Sequence, residues 1–446
     1  MKGGEIKDGG NGQGVLFKEG GKMHKRLKKI GLGLVAVGLS MALLLTAIPV
    51  CEAGPSERVV RIGQLGVFTG PLATLGVPPG EGMIDIVKYI NKKGGIKYTN
   101  DKGETESVKV DMMWEDTGYL LPKMIMTHKR FVAAGEVVEI CVSTTSWEAM
   151  RDRYIKEGIP CVGPSPVAAP DLLVKPPWFF LSMPTWNDIF ASCVKWIKDN
   201  WTESRPIRIG AMAYDVAAGR SFCENAGQVC SILGGMECIG WEVVPCFGLV
   251  DTSVEWLRLA SKRPDWVVVL GYGANMVVMV KDYARLGIRE KGVEFVGTPY
   301  SIDELVVNIT GKSSEGCYVG RPIPTRDEQE LPGVRTMLEI GKKYRGYEPD
   351  KVDSNYVAAW LYMQVIFEGI RLALEKVGYD SLDGRAVRDA LVSIKDFDTG
   401  LVPPIAMSEE KPWICSVVRM YQIRQGKITP VSDWYEFPIV YERILL

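Results

Sequence analysis

Histidine is almost missing from this chain: His24 and His128 are the only two in 446 residues. A Ser-His-Asp or Cys-His catalytic arrangement in the body would rest on His128 alone, and His128-Lys129-Arg130 reads as the polar, solvated face of a helix. None of the ten cysteines forms a CxxC pair, so a zinc site of thiolates and imidazoles has no framework. Neither sign of charge is in excess. With 54 acidic against 53 basic residues, the electrostatic footprint of nucleic-acid binding is missing. Gly311-Lys312-Ser313 looks like the end of a phosphate loop, but Val306 stands where that motif needs its first glycine. Beyond residue 50 no segment reads as apolar for long enough to span a bilayer, which argues against a channel or permease. These absences predict a chain that is not an enzyme and carries no cofactor and no metal.

What is present begins with an address. Residues 1–22 are glycine-rich and aperiodic, an unstructured extension. From Met23, the basic Lys25, Arg26, Lys28 and Lys29 precede an apolar stretch from Ile30 to about Val50 and the small-x-small Cys51-Glu52-Ala53. Residues 23–53 therefore read as a signal peptide cleaved after Ala53, or as an N-terminal anchor. Both readings put the body outside the cytoplasm. The composition, 46% apolar and 24% charged, is that of a soluble globular protein, and the length calls for two lobes. Cys223, Cys230, Cys238 and Cys246 recur every seven or eight residues, a spacing that suits small buried side chains better than metal or redox chemistry. Export would allow one or two disulfides.

From Val59 onward, short apolar runs alternate with amphipathic stretches. Strands are predicted at 60–68, 108–114, 137–142 and 160–162, with helices at 82–92, 122–134 and 147–157. A second set has strands at 207–214, 237–244, 265–271 and 294–297, with helices at 221–233, 254–261 and 275–286. Long helices follow at 354–377 and 382–391, then a strand at 417–424. This βαβ rhythm predicts an α/β fold of two doubly wound parallel-sheet lobes. Crossovers are expected at Lys175-Pro176-Pro177-Trp178, from Arg321 to Pro332, and near Leu401-Val402-Pro403-Pro404. The resulting division puts 58–186 plus 324–400 in lobe 1 and 187–323 plus 401–446 in lobe 2. Ligands of open α/β sheets bind beyond the carboxyl ends of strands, which directs attention to the loop from Phe68 to Gly76 and to Ser143-Thr144-Thr145-Ser146. The hydroxyls of the second loop can cap the next helix or present themselves to an anion. Trp147, Trp186 and Tyr272 sit where aromatic contacts would serve a ligand, with core packing as the default for each.

Gly70-Pro71-Leu72-Ala73-Thr74-Leu75-Gly76, Ile90-Asn91-Lys92-Lys93-Gly94-Gly95-Ile96, the hydroxyl loop at 143–146 and Gly158-Ile159-Pro160-Cys161-Val162-Gly163-Pro164 come in an order and spacing that resembles the periplasmic branched-chain amino-acid-binding proteins of ABC transporters. Later stretches agree, including Tyr214-Asp215, Phe295-Val296-Gly297, Asp396-Phe397-Asp398 and Tyr421-Gln422-Ile423. The resemblance, which spans nearly all of the chain from Val59, implies two lobes on a three-strand hinge, a monomer, a small-molecule solute and a membrane permease as partner. An extracellular sensor domain would use the same fold. The resemblance implies ligand-binding roles for Leu75, Thr144, Ser165, Tyr272 and Tyr356, with Thr145, Ser146, Ala218 and Pro299 in the same loops. Three departures stand out. The turn after Pro164 carries an extra residue and reads Pro166-Val167-Ala168, without the family's threonine hydroxyl; Ala218-Gly219 replaces a tyrosine-glycine; and Thr298-Pro299-Tyr300 stands where a glutamate binds the ligand ammonium, with Asp303 and Glu304 a turn later. A buried ammonium without a carboxylate is costly, so the resemblance supports a small organic solute more firmly than a branched-chain amino acid.

Overall fold

A computed structural model describes residues 57–446 except 71–72, 142–143, 164–169, 174, 247 and 445–446. The extension, the leader and Ser165 lie outside the described residues. The first sheet is built from β1 (Val59–Gly66), followed by α1 (Ala73–Lys92), β2 (Ile96–Thr99), β3 (Thr105–Asp116), α2 (Leu121–Ala133), β4 (Glu136–Cys141), α3 (Thr144–Glu157), β5 (Cys161–Gly163) and β6 (Phe179–Leu181). Its order is β2-β3-β1-β4-β5-β6, parallel throughout except for the β2–β3 edge pair. The order reverses between β1 and β4, so the loops leaving these two strands flank a crevice at the carboxyl edge.

After α4 (Trp186–Asp199) the second lobe repeats the plan: β7 (Ile207–Tyr214), α5 (Ala217–Glu224), α6 (Ala226–Leu233), β8 (Met236–Val244), α7 (Ser253–Ser261), β9 (Trp266–Leu270), α8 (Gly273–Arg285), β10 (Glu294–Gly297), α9 (Glu304–Thr310) and β11 (Tyr318–Arg321). Trp266-Val267-Val268-Val269-Leu270 has no polar alternation, and Val267 to Leu270 are fully buried, because helices cover both faces of the strand. The chain then returns to the first lobe with α10 (Pro332–Arg345), α11 (Ser354–Val377) and α12 (Gly384–Leu391), which pack on α1, β2 and β4. It ends with β12 (Val417–Arg424), β13 (Lys427–Pro430), β14 (Tyr435–Glu436) and α13 (Tyr441–Ile444), β12 pairing antiparallel with β11. The second sheet runs β13-β12-β11-β10-β9-β7-β8 and reverses between β7 and β9.

Several elements differ from the sequence expectation. Helix α1 begins at Ala73 rather than residue 82, with Pro78 and Pro79 inside it. Its first turn lies so close to β1 that a Cβ on Gly76 would stand 1.9 Å from the Val67 carbonyl oxygen. The helix expected at 221–233 is two, meeting at Asn225. Helices α4 and α10 were not anticipated, although Thr185 and Asp188 form a capping box on α4 and Pro332 opens α10. Helix α11 is by length and composition apolar enough to cross a membrane, contrary to expectation, but 78% of its apolar window is buried in the core. The nine described cysteines are free thiols, seven of them buried.

Passage between the sheets occurs at 182–185, 322–331 and 414–416, the first and last lying beyond the segments expected to cross. The first crossing is tied down by Asp188, which is fully buried. Its carboxylate accepts from the Thr185 amide (3.0 Å) and hydroxyl (2.7 Å) and from the Val440 (2.6 Å) and Tyr441 (3.1 Å) amides. It thus joins the hinge, α4 and the C-terminal segment. Asp188→Ala removes a cap and orphans two buried amides, and is expected to lower the free energy of urea unfolding by ~2–4 kcal/mol. A change within ~0.5 kcal/mol, the range of a featureless surface substitution, would show that the knot carries no stability.

Candidate functional site

Where the carboxyl edges of the two sheets approach each other, a group of aromatic side chains gathers. In lobe 2, Tyr214 ends β7 and Tyr272 leaves β9 as the N-cap of α8 with extended backbone (φ −142°, ψ 150°). Their rings lie 5.2 Å apart, and Tyr272 also meets Trp186 edge-on at 6.2 Å. Burial pushes both phenols up, and the nearby Tyr119 phenol, from the loop after β3 in lobe 1, adds to the shift on each. Tyr300 follows β10 with φ +68° and hydrogen-bonds across the lobes to Tyr362 of α11. Its phenol is close enough to Tyr272 to raise that group as well. Tyr119, Tyr214, Tyr272 and Tyr300, from the ends of four strands, and α4's Trp186 therefore form one aromatic group.

Two buried polar atoms close in the chain to this group, Asn187 Oδ1 beside Trp186 and Thr298 Oγ1 shortly before Tyr300, have no hydrogen-bond partner among the described residues. Buried polar groups are normally satisfied, so these suit a polar solute entering the cleft. The described carboxylates nearby also hold the fold together, although Glu304 Oε1 has no hydrogen-bond partner. Asp116 accepts from the Thr69 hydroxyl (2.5 Å) and the Phe68 amide (2.8 Å), and Asp215 pairs with Arg220 at 2.5 Å. Asp303 caps α9 through the Val306 amide at 2.8 Å. Glu304 takes the amide (3.1 Å) and hydroxyl of Ser354 at the start of α11, with Arg321 at 3.8 Å from its other oxygen.

The sequence-derived candidates divide. Tyr272 follows β9 and Ala218 lies in the first turn of α5 after β7, and both are partly exposed. Pro299 is buried in the loop between β10 and α9. Leu75 and Thr144 occupy the first turns of α1 and α3, at the two sides of the first sheet's switch point, with Thr145 next in α3; their side chains lie outside what is described. Ser146 is a correction: it is buried and turns its hydroxyl to Met124 inside lobe 1, at 2.8 Å. Tyr356 is another. It is 1% exposed, and its phenol donates to Asp85 at 3.0 Å beneath α1, because residue 356 lies on the face of α11 that packs against that helix. Trp147 is core, its indole donating to the Cys141 carbonyl at 3.2 Å. Tyr119 and Tyr362 were missed; the turn Thr117-Gly118-Tyr119 at the end of β3 was the signal for the first.

Two parallel-sheet lobes that open their carboxyl edges onto a shared cleft, joined by three crossings, define a hinged solute-binding protein. The chain belongs to the periplasmic binding protein family, whose sequence model matches residues 59–427. It is 24% identical over 375 residues to Leu/Ile/Val-binding protein homolog 7 of Brucella melitensis, covering 82% of this chain and 87% of that one. Among solved structures it resembles a branched-chain amino acid ABC transporter protein of Thermus thermophilus with bound valine (TM-score 0.75, 19% identity, 87% of this chain and 99% of that one). It also resembles a solute-binding protein of Rhodopseudomonas palustris in complex with p-hydroxybenzoic acid (TM-score 0.68, 15% identity, 86% and 99%).

Asp303, Glu304 and Asp353 share one arginine, Arg321, where the lobes touch. Burial and then the Asp353 charge push Asp303 from 3.8 to about 7, while burial and then Glu304 push Asp353 to about 6. Both values are raised, so the folded chain holds protons here that the unfolded chain has released. Their contribution is fully present below the unfolded carboxylate range and is lost as pH rises through 6 to 7. Asp303→Asn keeps the cap and removes the titration. Urea midpoints at pH 5 and pH 8 should fall further for the wild type than for the variant; equal falls would show that the cluster does not titrate as described.

Proposed function

We propose that this chain captures a small organic solute outside the cytoplasm, in the cleft between its lobes, and delivers it as a monomer to the permease of an ABC importer. The solute is aromatic or amide-like rather than a free branched-chain amino acid. The observation that carries the specificity is the aromatic group of Tyr119, Tyr214, Tyr272 and Trp186 beside a loop, Thr298-Pro299-Tyr300, that carries no carboxylate. An ammonium entering such a cleft would lose water and would have to draw on carboxylates that already hold backbone amides. A carboxylate or amide is better served, since α3 starts at Thr144 beyond the carboxyl end of β4, and the positive end of a helix favours an anion. Family membership supports the binding role, and the basic-then-apolar leader at 23–53 supports export. The reading includes no catalysis: His128 sits in lobe 1 away from the cleft lining.

The test is thermal melting of the full chain against benzoate, p-hydroxybenzoate, small aromatic amides, leucine, isoleucine and valine. A solute at ~100 times its dissociation constant adds about 2.7 kcal/mol to the native state. Upward shifts are expected with the ammonium-free compounds and are to be lost in Tyr272→Ala, with the solute recovered chemically unchanged. Shifts confined to leucine, isoleucine and valine would overturn the specificity, and conversion of the solute would overturn the non-catalytic reading.

A further inference from the structure

The interior of lobe 1 holds a cluster that solute capture does not use. His128 on α2, Glu136 and Glu139 on β4, and Glu157 at the end of α3 converge there, the first three with fully buried side chains. The burial of His128 reverses the expectation of a solvated helix face. A strand places residues three apart on opposite sides, yet Glu136 and Glu139 act on the same imidazole. A bulge accounts for this: Arg61 pairs with Glu136 and Ile62 with Val138, so one extra residue on β4 turns Glu136 inward. Gly63 makes the room. A Cβ there would stand 2.0 Å from Glu136 Oε2.

The partners around the cluster are unequal. His128 Nε2 is 2.6 Å from Glu157, and Nδ1 is 2.9 Å from Glu139 Oε2. Tyr154 donates to the other oxygen of Glu139. Glu136 has neither oxygen hydrogen-bonded, although its Oε1 is 3.7 Å from Nδ1. Three carboxylates thus meet one imidazole, which leaves negative charge uncompensated even when the ring is protonated. The side chains of His128, Glu136 and Glu139 are fully buried, where uncompensated charge is costly. A cation placed between the carboxylates would remove that cost.

We propose that His128, Glu136 and Glu139 form a binding site for a divalent transition-metal ion, with Zn2+ the best fit. Their donor atoms lie within 4.8 Å of one another. A tetrahedral shell with metal–ligand bonds of ~2.0–2.2 Å sets its donors roughly 3.3–3.6 Å apart, bracketed by the 2.9 and 3.7 Å separations from Nδ1 to the two carboxylates. Glu136 can use both oxygens. An imidazole nitrogen and so few carboxylates disfavour Ca2+, which takes six to eight oxygen ligands. Glu157, accepting from Nε2–H, directs the Nδ1 lone pair at the ion, and Tyr154 orients Glu139; such outer contacts typically accompany histidine and carboxylate ligands.

The full chain, stripped with a chelator, is titrated with Zn2+, Co2+ and Ca2+ while melting temperature, bound metal and visible absorption are followed. Expected are roughly one equivalent of Zn2+ retained through gel filtration, a higher melting temperature with Zn2+ and Co2+ but not with Ca2+, and Co2+ d–d bands without a thiolate charge-transfer band. Glu136→Gln, equal in shape, should weaken Zn2+ binding at least tenfold and abolish the bands, and Glu157→Gln should weaken it ~10–100-fold. Equal metal uptake by wild type and Glu136→Gln would overturn the site. So would a thiolate band, which needs no mutant and assigns the ion to cysteine, and so would a wild type that Zn2+ leaves unchanged, with Glu136 then a buried neutral acid.

Discussion

Two of the three crossings are hydrogen-bonded to each other, and the arrangement of the cleft depends on that short ladder. The Leu181 amide donates to Pro412 (2.9 Å), Ile414 donates back to Leu181 (2.7 Å), and Cys415 donates to Ser182 (2.9 Å), while Ser182 donates to Gly163 at the end of β5 (2.9 Å). The first crossing is thus an extension of the first sheet, and the last crossing is stitched beside it before β12 enters the second. Asp188 then fastens the start of α4 to the C-terminal segment. Because backbone bonds set this geometry, the hinge is specified by chain path more than by any one side chain.

With the sheets so placed, the lining of the cleft follows from topology. The strand-end loops bring tyrosines to one wall, and their ring contacts are of the offset and edge-on kinds that aromatic pairs favour. The acids in these loops serve structure: Asp303 and Asp353 cap helices, Glu304 holds α11, and Asp116 closes a turn. Thr298-Pro299-Tyr300 stands beside these acids with no carboxylate of its own. Tyr300 takes up the space and reaches Tyr362 instead.

The buried cluster of lobe 1 shows a different relation between local pattern and outcome. His128 stands in a polar run, and Glu136 and Glu139 are spaced for opposite faces of a strand, so each signal pointed outward. A single extra residue in β4 and one glycine in β1 reversed them. Tyr356 and Ser146 failed for a related reason: position along a helix was legible, but the neighbour on that face was not. Asp85, held by Arg345, claims Tyr356, and Met124 claims Ser146.

The sequence by itself determined the alternation of strands and helices, the two doubly wound lobes and most element boundaries, because hydrophobic periodicity and capping are local properties. It also determined the family, through the order of its short motifs. Only the tertiary structure decided where the chain crosses between lobes, which tyrosines share the cleft, what the nearby acids are bonded to, and that His128 is enclosed by carboxylates. Those outcomes depend on register, bulges and contacts between residues far apart in the chain, and such contacts leave no periodic trace in a single sequence.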